Sequence, residues 1–78
     1  MVKQVEIKTL KDLRQRASEI LTYMDRYYGD ELMYGRITLA EQLLSEIYKK
    51  DISLDAKIDL TQKLINKTAY TKNDKFNL

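Results

Sequence analysis

Apolar side chains return at three- and four-residue steps in three separate stretches of this sequence, and that spacing leaves little room for anything but α-helices. In the first stretch Leu10, Leu13, Ala17, Ile20, Leu21, Met24 and Tyr28 draw one stripe, with Lys11, Gln15, Glu19, Thr22 and Arg26 opposite it. Thr9 followed by Asp12 has the form of a capping box. The hydroxyl can accept from an exposed first-turn amide, while the carboxylate sits at the positive end of the helix. Gly29 closes the stretch, because glycine enters the left-handed region at little steric cost.

The second stripe runs through Met33, Ile37, Ala40, Leu44 and Ile47, widened by Leu43 and Tyr48. Two starts are open. Asp30 can cap a helix that continues through Gly35, at about 1 kcal/mol for the glycine, or Thr38 with Glu41 can form a second capping box and start the helix later. The unbroken register favours the longer helix, with irregularity expected near Gly35. Lys49 and Lys50 then fall in the last turn, where positive charge suits the helix C-terminus. Ser53 caps a third helix whose buried side is drawn from Leu54, Ile58, Leu64 and Ile65, with Leu60 at one edge. Only Asp51 and Ile52 intervene, so these helices pack side by side, antiparallel or at a steep angle.

Around these helices lie weaker signals. Val5 and Ile7 alternate with polar neighbours in a short lead-in over residues 2–8, which has no second strand to pair with. After about Thr68 the pattern lapses into a tail that either docks by Tyr70 and Phe76 or stays loose. The expected architecture is therefore all-α: one domain over residues 1–78, a compact three-helix bundle with helices at about 9–28, 31–50 and 53–68, an extended N-terminal lead-in, and a partly ordered C-terminal tail over 69–78. A chain of 78 residues buries only about three fifths of the surface it exposes when unfolded. Association with a second copy or with a partner is an expected route to further stability.

Composition narrows the function. The sequence has no cysteine and no histidine, which removes disulfides, thiolate metal sites and the commonest nucleophile and general-base arrangements. A carboxylate base would need a cleft that a three-helix unit of this size hardly accommodates. No enzymatic activity and no cofactor are expected. Asp51, Ser53, Asp55 and Asp59 resemble the opening of a calcium loop, but Ala56 stands where the turn needs glycine, and Gln62 where the closing Glu belongs. A helix-capping turn with acidic residues at its positive end accounts for them without a metal. The first ten residues are too often charged for a signal peptide, and no window holds the roughly 20 apolar residues of a membrane span, so a cytoplasmic location is expected. Abundant Lys, Ile, Tyr and Asn without Pro or Trp is the composition of AT-rich coding, as in a bacterium of low G+C content, its phages or its plasmids.

Fourteen basic and twelve acidic side chains leave a formal charge of +2, short of the basic balance of most nucleic-acid binders. Lys8, Lys11, Arg14, Arg16 and Arg26 make the first helix the most basic stretch. Asp12, Glu19 and Asp25 interrupt it, and Arg14 and Arg16 flank the apolar stripe, where long basic side chains cover core. A DNA-binding accessory factor is thus the second choice. The first is a protein-binding module of inhibitor or adaptor type. Six tyrosines are many for this length, and tyrosine favours binding surfaces because it offers large area with few rotatable bonds and a polar tip. Tyr28 belongs to the core stripe and Tyr27 to its border, so both can close the open end of the core. Tyr23 and Tyr34 are harder to bury. The expected partner surface is Tyr23, Arg26, Tyr27 and Tyr34, with another protein or a second copy of the chain as partner.

The stretch from Leu43 to Tyr70, an Ile-Tyr helix ending, a brief polar turn, a capped helix and a trailing aromatic, resembles the later half of the small immunity proteins that protect producers of pediocin-type bacteriocins. That resemblance covers under half the chain and rests on pattern without a diagnostic motif. It implies a cytosolic helical bundle whose C-terminal part helps to recognise the toxin system.

Overall fold

The computed structural model describes residues 6–29, 31–69 and 75–78. Three helices follow one another: α1 (Leu10–Tyr28), α2 (Glu31–Lys49) and α3 (Leu54–Thr68). Together they form an all-α three-helix bundle, and among the described residues there is no strand.

The start of α1 shows how local chemistry sets a helix boundary. The Asp12 amide donates to Thr9 Oγ1 at 3.2 Å, and the Thr9 amide donates back to Asp12 Oδ2 at 3.2 Å. This is the reciprocal capping box expected from the sequence. The Lys8 amide adds a further donor to Asp12 Oδ2 at 3.1 Å. These donors, that of Lys8 foremost and then those of Thr9, outweigh the loss of solvation and hold the Asp12 carboxyl below its ordinary range. At the other end Gly29 takes φ 58°, in the left-handed region, and ends the helix. Glu6, Ile7 and Lys8 carry no regular structure; the rest of the expected lead-in lies outside the described residues.

Along α1 the inner line is wholly apolar, with Leu13, Ala17, Ile20, Leu21 and Met24 buried. Helix α2 runs unbroken through Gly35. The irregularity expected there is absent, because Gly35 sits on the exposed side, where a helical glycine costs only its backbone entropy. Asp30 lies outside the described residues, while Thr38 sits inside α2 and donates to the Tyr34 carbonyl at 3.1 Å. Met33, Ile37, Ala40, Leu44 and Ile47 are all buried, and the core gathers them with Ile65 and the inner line of α1.

The third helix departs from expectation. Ser53 caps it, accepting from the Ala56 amide at 3.2 Å. Its buried positions, however, are Thr61, Ile65 and Thr68. Leu54, Ile58 and Leu64, expected inside, are only half-buried. The line 54–58–61–65–68 keeps a helical period, but two of its five places hold hydroxyls. Thr68 satisfies its own by donating to the Leu64 carbonyl at 2.8 Å, which makes burial of a threonine cheap.

Side chains then join the elements. Lys57 of α3 donates to the Tyr48 carbonyl near the end of α2 at 2.9 Å, placing a cation at the negative end of that helix. The tail docks through residues 75–78. The Phe76 amide donates to Asn66 Oδ1 at 2.6 Å, Gln62 Nε2 donates to Asn77 Oδ1 at 2.9 Å, and Phe76 and Leu78 pack against the core. Tyr70, the other expected anchor, lies outside the described residues.

Candidate partner-binding surface

Tyrosines four residues apart on a helix share one side of it, and Tyr23 and Tyr27 do so at the C-terminal half of α1. Their rings stack with centroids 5.4 Å apart and planes 17° from parallel. Phe76 of the tail meets Tyr23 edge-on at 6.0 Å, and Tyr28 meets Tyr27 edge-on at 5.0 Å. Four aromatic rings thus form one ladder, whose two ends differ from its middle. Tyr28 and Phe76 are half-buried against the core, whereas Tyr23 is 48% and Tyr27 67% exposed. Tyr27 therefore does not close the core as expected. Its position on the border of the stripe turns the ring outward, and of the two tyrosines Tyr28 provides that cover.

Arg26 is exposed in the last turn of α1. With Ser18, Glu19, Thr22 and Tyr23 it lines a shallow, open groove of about 320 Å³ along the same helix. Tyr34, 65% exposed, stands one turn into α2 and makes no ring contact with the ladder among the described residues. The structure accordingly brings together Tyr23, Arg26 and Tyr27 on α1 and leaves Tyr34 apart on the neighbouring helix. Phe76 joins the ladder from the tail. Sequence spacing gives no sign of that contact, which spans most of the chain.

The remaining basic side chains of α1 are largely engaged. Arg14 lies over the Tyr48 ring, 5.0 Å from its centroid, and Arg16 Nη1 reaches Glu19 Oε2 at 3.4 Å. Both behave as the long side chains that cover the edges of a core. Arg14 and Tyr48 also flank an open groove of about 380 Å³ between α1 and α2, with Ser18, Thr22, Glu41 and Ser45. The Tyr48 hydroxyl is buried there without a hydrogen-bond partner among the described residues. Burial pushes the Tyr48 phenol up, partly opposed by the nearby Arg14 charge. Among the described residues no group of three acidic side chains is placed to hold a metal ion. Ser53 caps α3, Asp55 lies in its first turn, and Asp59 pairs with Lys63 at 3.0 Å. No described helix is long and apolar enough to cross a membrane.

No family model, curated protein or solved structure matches the chain. The resemblance of residues 43–70 to pediocin-type immunity proteins rests on sequence pattern alone.

Proposed function

We propose that this chain is a small protein-binding accessory module, of inhibitor or adaptor type, which engages its partner through the aromatic face of α1 and performs no chemistry of its own. The observation that carries this reading is the exposed Tyr23–Tyr27 stack, held from behind by Phe76 and Tyr28. Rings already fixed against one another lose little freedom when a partner covers them, so more of the buried area converts into affinity. Arg26 beside them adds a residue type enriched, like tyrosine, among the energetic centres of interfaces. We place the interaction in the cytoplasm, in keeping with a chain that has no cysteine to gain from an oxidising compartment.

The test is affinity capture from extracts of the native host with the wild-type chain and with Tyr23→Ala/Tyr27→Ala, each first checked for helical content. A discrete partner should be retained by the wild type and at least tenfold less by the variant, the loss expected on removing two central aromatic contacts. If the partner is a second copy, light scattering on the pure protein shows a dimer that the variant loses. Equal retention by both proteins would overturn the reading. So would a monomeric wild type that captures nothing.

A further inference from the structure

The face around the polar groove between α1 and α2 carries its charges in an order that complements its own reverse. On α1, Lys11, Ser18 and Asp25 stand seven residues apart, close to two full turns, so they fall on one line along the helix. On α2, Glu41, Ser45 and Lys49 stand four apart and share one side. Each serine thus has a cation and a carboxylate at equal distances to either side. All four charged side chains are exposed, and none makes an ion pair among the described residues. Both serines line the groove together with Leu21 and Leu44. Only residues 29 and 30 separate the two helices, which makes them an antiparallel pair. Arg14 lies over the Tyr48 ring, and counting inward from that contact sets Ser18 and Ser45 within about 2 Å of one level.

We propose that this face binds a second copy of the chain, in an isologous dimer whose two-fold axis crosses α1 and α2 at the two serines. Rotation about that axis reverses both helices, so α1 packs antiparallel on the other α1 and α2 on the other α2. Lys11 of each copy then meets Asp25 of the other, and Glu41 meets Lys49. Serine at the crossing points lets the backbones approach closely, since the side chains at the contact set the distance between helix axes. Each helix has 19 residues, so the face is about 28 Å long and about 20 Å across the pair. The resulting area of roughly 600 Å² is what each partner contributes at the lower end of specific interfaces. The charge order separates this occupant from others. Asp25 and Glu41 repel an anionic membrane surface, and an unrelated protein would have to carry the same order on two antiparallel helices. Tyr27 lies nine residues from Ser18, two and a half turns, and so projects from the opposite side of α1. The dimer therefore leaves the tyrosine face open on both copies and does not rest on it.

The test is sedimentation equilibrium of the pure chain from micromolar to millimolar concentration, with helical content checked for every variant. The wild type should pass from monomer to dimer over that range, and the dimer should loosen as salt is added. Lys11→Glu sets like charges together at both symmetric contacts and should weaken the dimer at least tenfold, and Asp25→Lys should do the same. Mixed in equal amounts, these two variants should associate as tightly as the wild type, because each then offers the other the opposite charge at both contacts. Glu41→Lys and Lys49→Glu repeat the experiment independently on α2. Tyr23→Ala/Tyr27→Ala should leave the dimer unchanged. A wild type that stays monomeric at millimolar concentration, single reversals without effect, or a mixture no tighter than its components would overturn the proposal. So would loss of the dimer in the tyrosine variant, which would move the contact to the tyrosine face.

Discussion

The first and third helices bury their inner lines with different chemistry. In α1 the five interior places are Leu13, Ala17, Ile20, Leu21 and Met24, and no hydroxyl interrupts them. In α3 Ile65 is flanked by Thr61 and Thr68, while Leu54, Ile58 and Leu64 are left half in solvent. One helix spends its apolar residues inward. The other keeps part of them at its edges, where Leu64 helps to floor a groove with α2. The difference separates two tasks: α1 anchors the core while its far side presents tyrosines, and α3 closes the core loosely enough to leave apolar surface beside it.

Truncating one leucine in each helix should test that difference most visibly. Leu13 is fully buried, and Leu13→Ala should cost about 2–5 kcal/mol, the transfer of the lost methyl groups plus the cavity left behind. Leu64→Ala removes a half-buried side chain whose surroundings open to solvent, so about half as much is expected. Urea unfolding with an unchanged slope measures both. Equal losses would mean that α3 is as tightly packed as α1.

The two threonines sharpen the contrast within α3. Thr61 is fully buried and its hydroxyl finds no partner among the described residues, whereas Thr68 donates to the Leu64 carbonyl. Replacing an unsatisfied buried hydroxyl with a methyl of similar shape removes a desolvation cost without opening a cavity. Thr61→Val should therefore stabilise by about 1 kcal/mol, and Thr68→Val should stay within about 0.5 kcal/mol because it loses a hydrogen bond along with the polar atom. Thermal or urea unfolding reads the difference. Destabilisation by Thr61→Val would show that its hydroxyl is hydrogen-bonded in solution.

That same contrast marks where reading the sequence works. The stripes of α1 and α2 are legible because every interior place holds an apolar residue, so period and residue type agree. In α3 they disagree. A threonine counts as polar by type, yet Thr68 is buried by bonding to its own helix backbone and Thr61 without such a bond, and the period 54–58–61–65–68 was the available signal. Of the proposed partner surface, Tyr23 and Tyr27 are legible from their four-residue spacing. The outward turn of Tyr27 goes with Tyr28 packing against the core beside it, and the bracing by Phe76 depends on how the tail returns. The α2–α3 groove was not legible at all, since Leu39 lies off the stripe and only the packed hairpin sets it beside Leu64.

The helix starts carry the same comparison to its smallest effect. Ser53 caps α3 with a hydroxyl that does not titrate, while α1 begins on the Asp12 carboxylate, which accepts from the Lys8 and Thr9 amides. Those donors place the Asp12 pKa in the folded chain below its ordinary value of 3.8. A depressed folded pKa contributes stability that is present above the unfolded value and is lost as pH falls through the folded one. The protection of first-turn amides of α1 against exchange, taken relative to the intrinsic rate at each pH, should therefore fall on acidification below about pH 4, with the first turn of α3 changing less. Asp12→Asn should lower that protection in α1 at neutral pH and flatten its acid dependence. Parallel acid profiles for the two turns, unaltered by the substitution, would show that the reciprocal cap at Thr9 and Asp12 gives α1 no advantage over the single hydroxyl at Ser53.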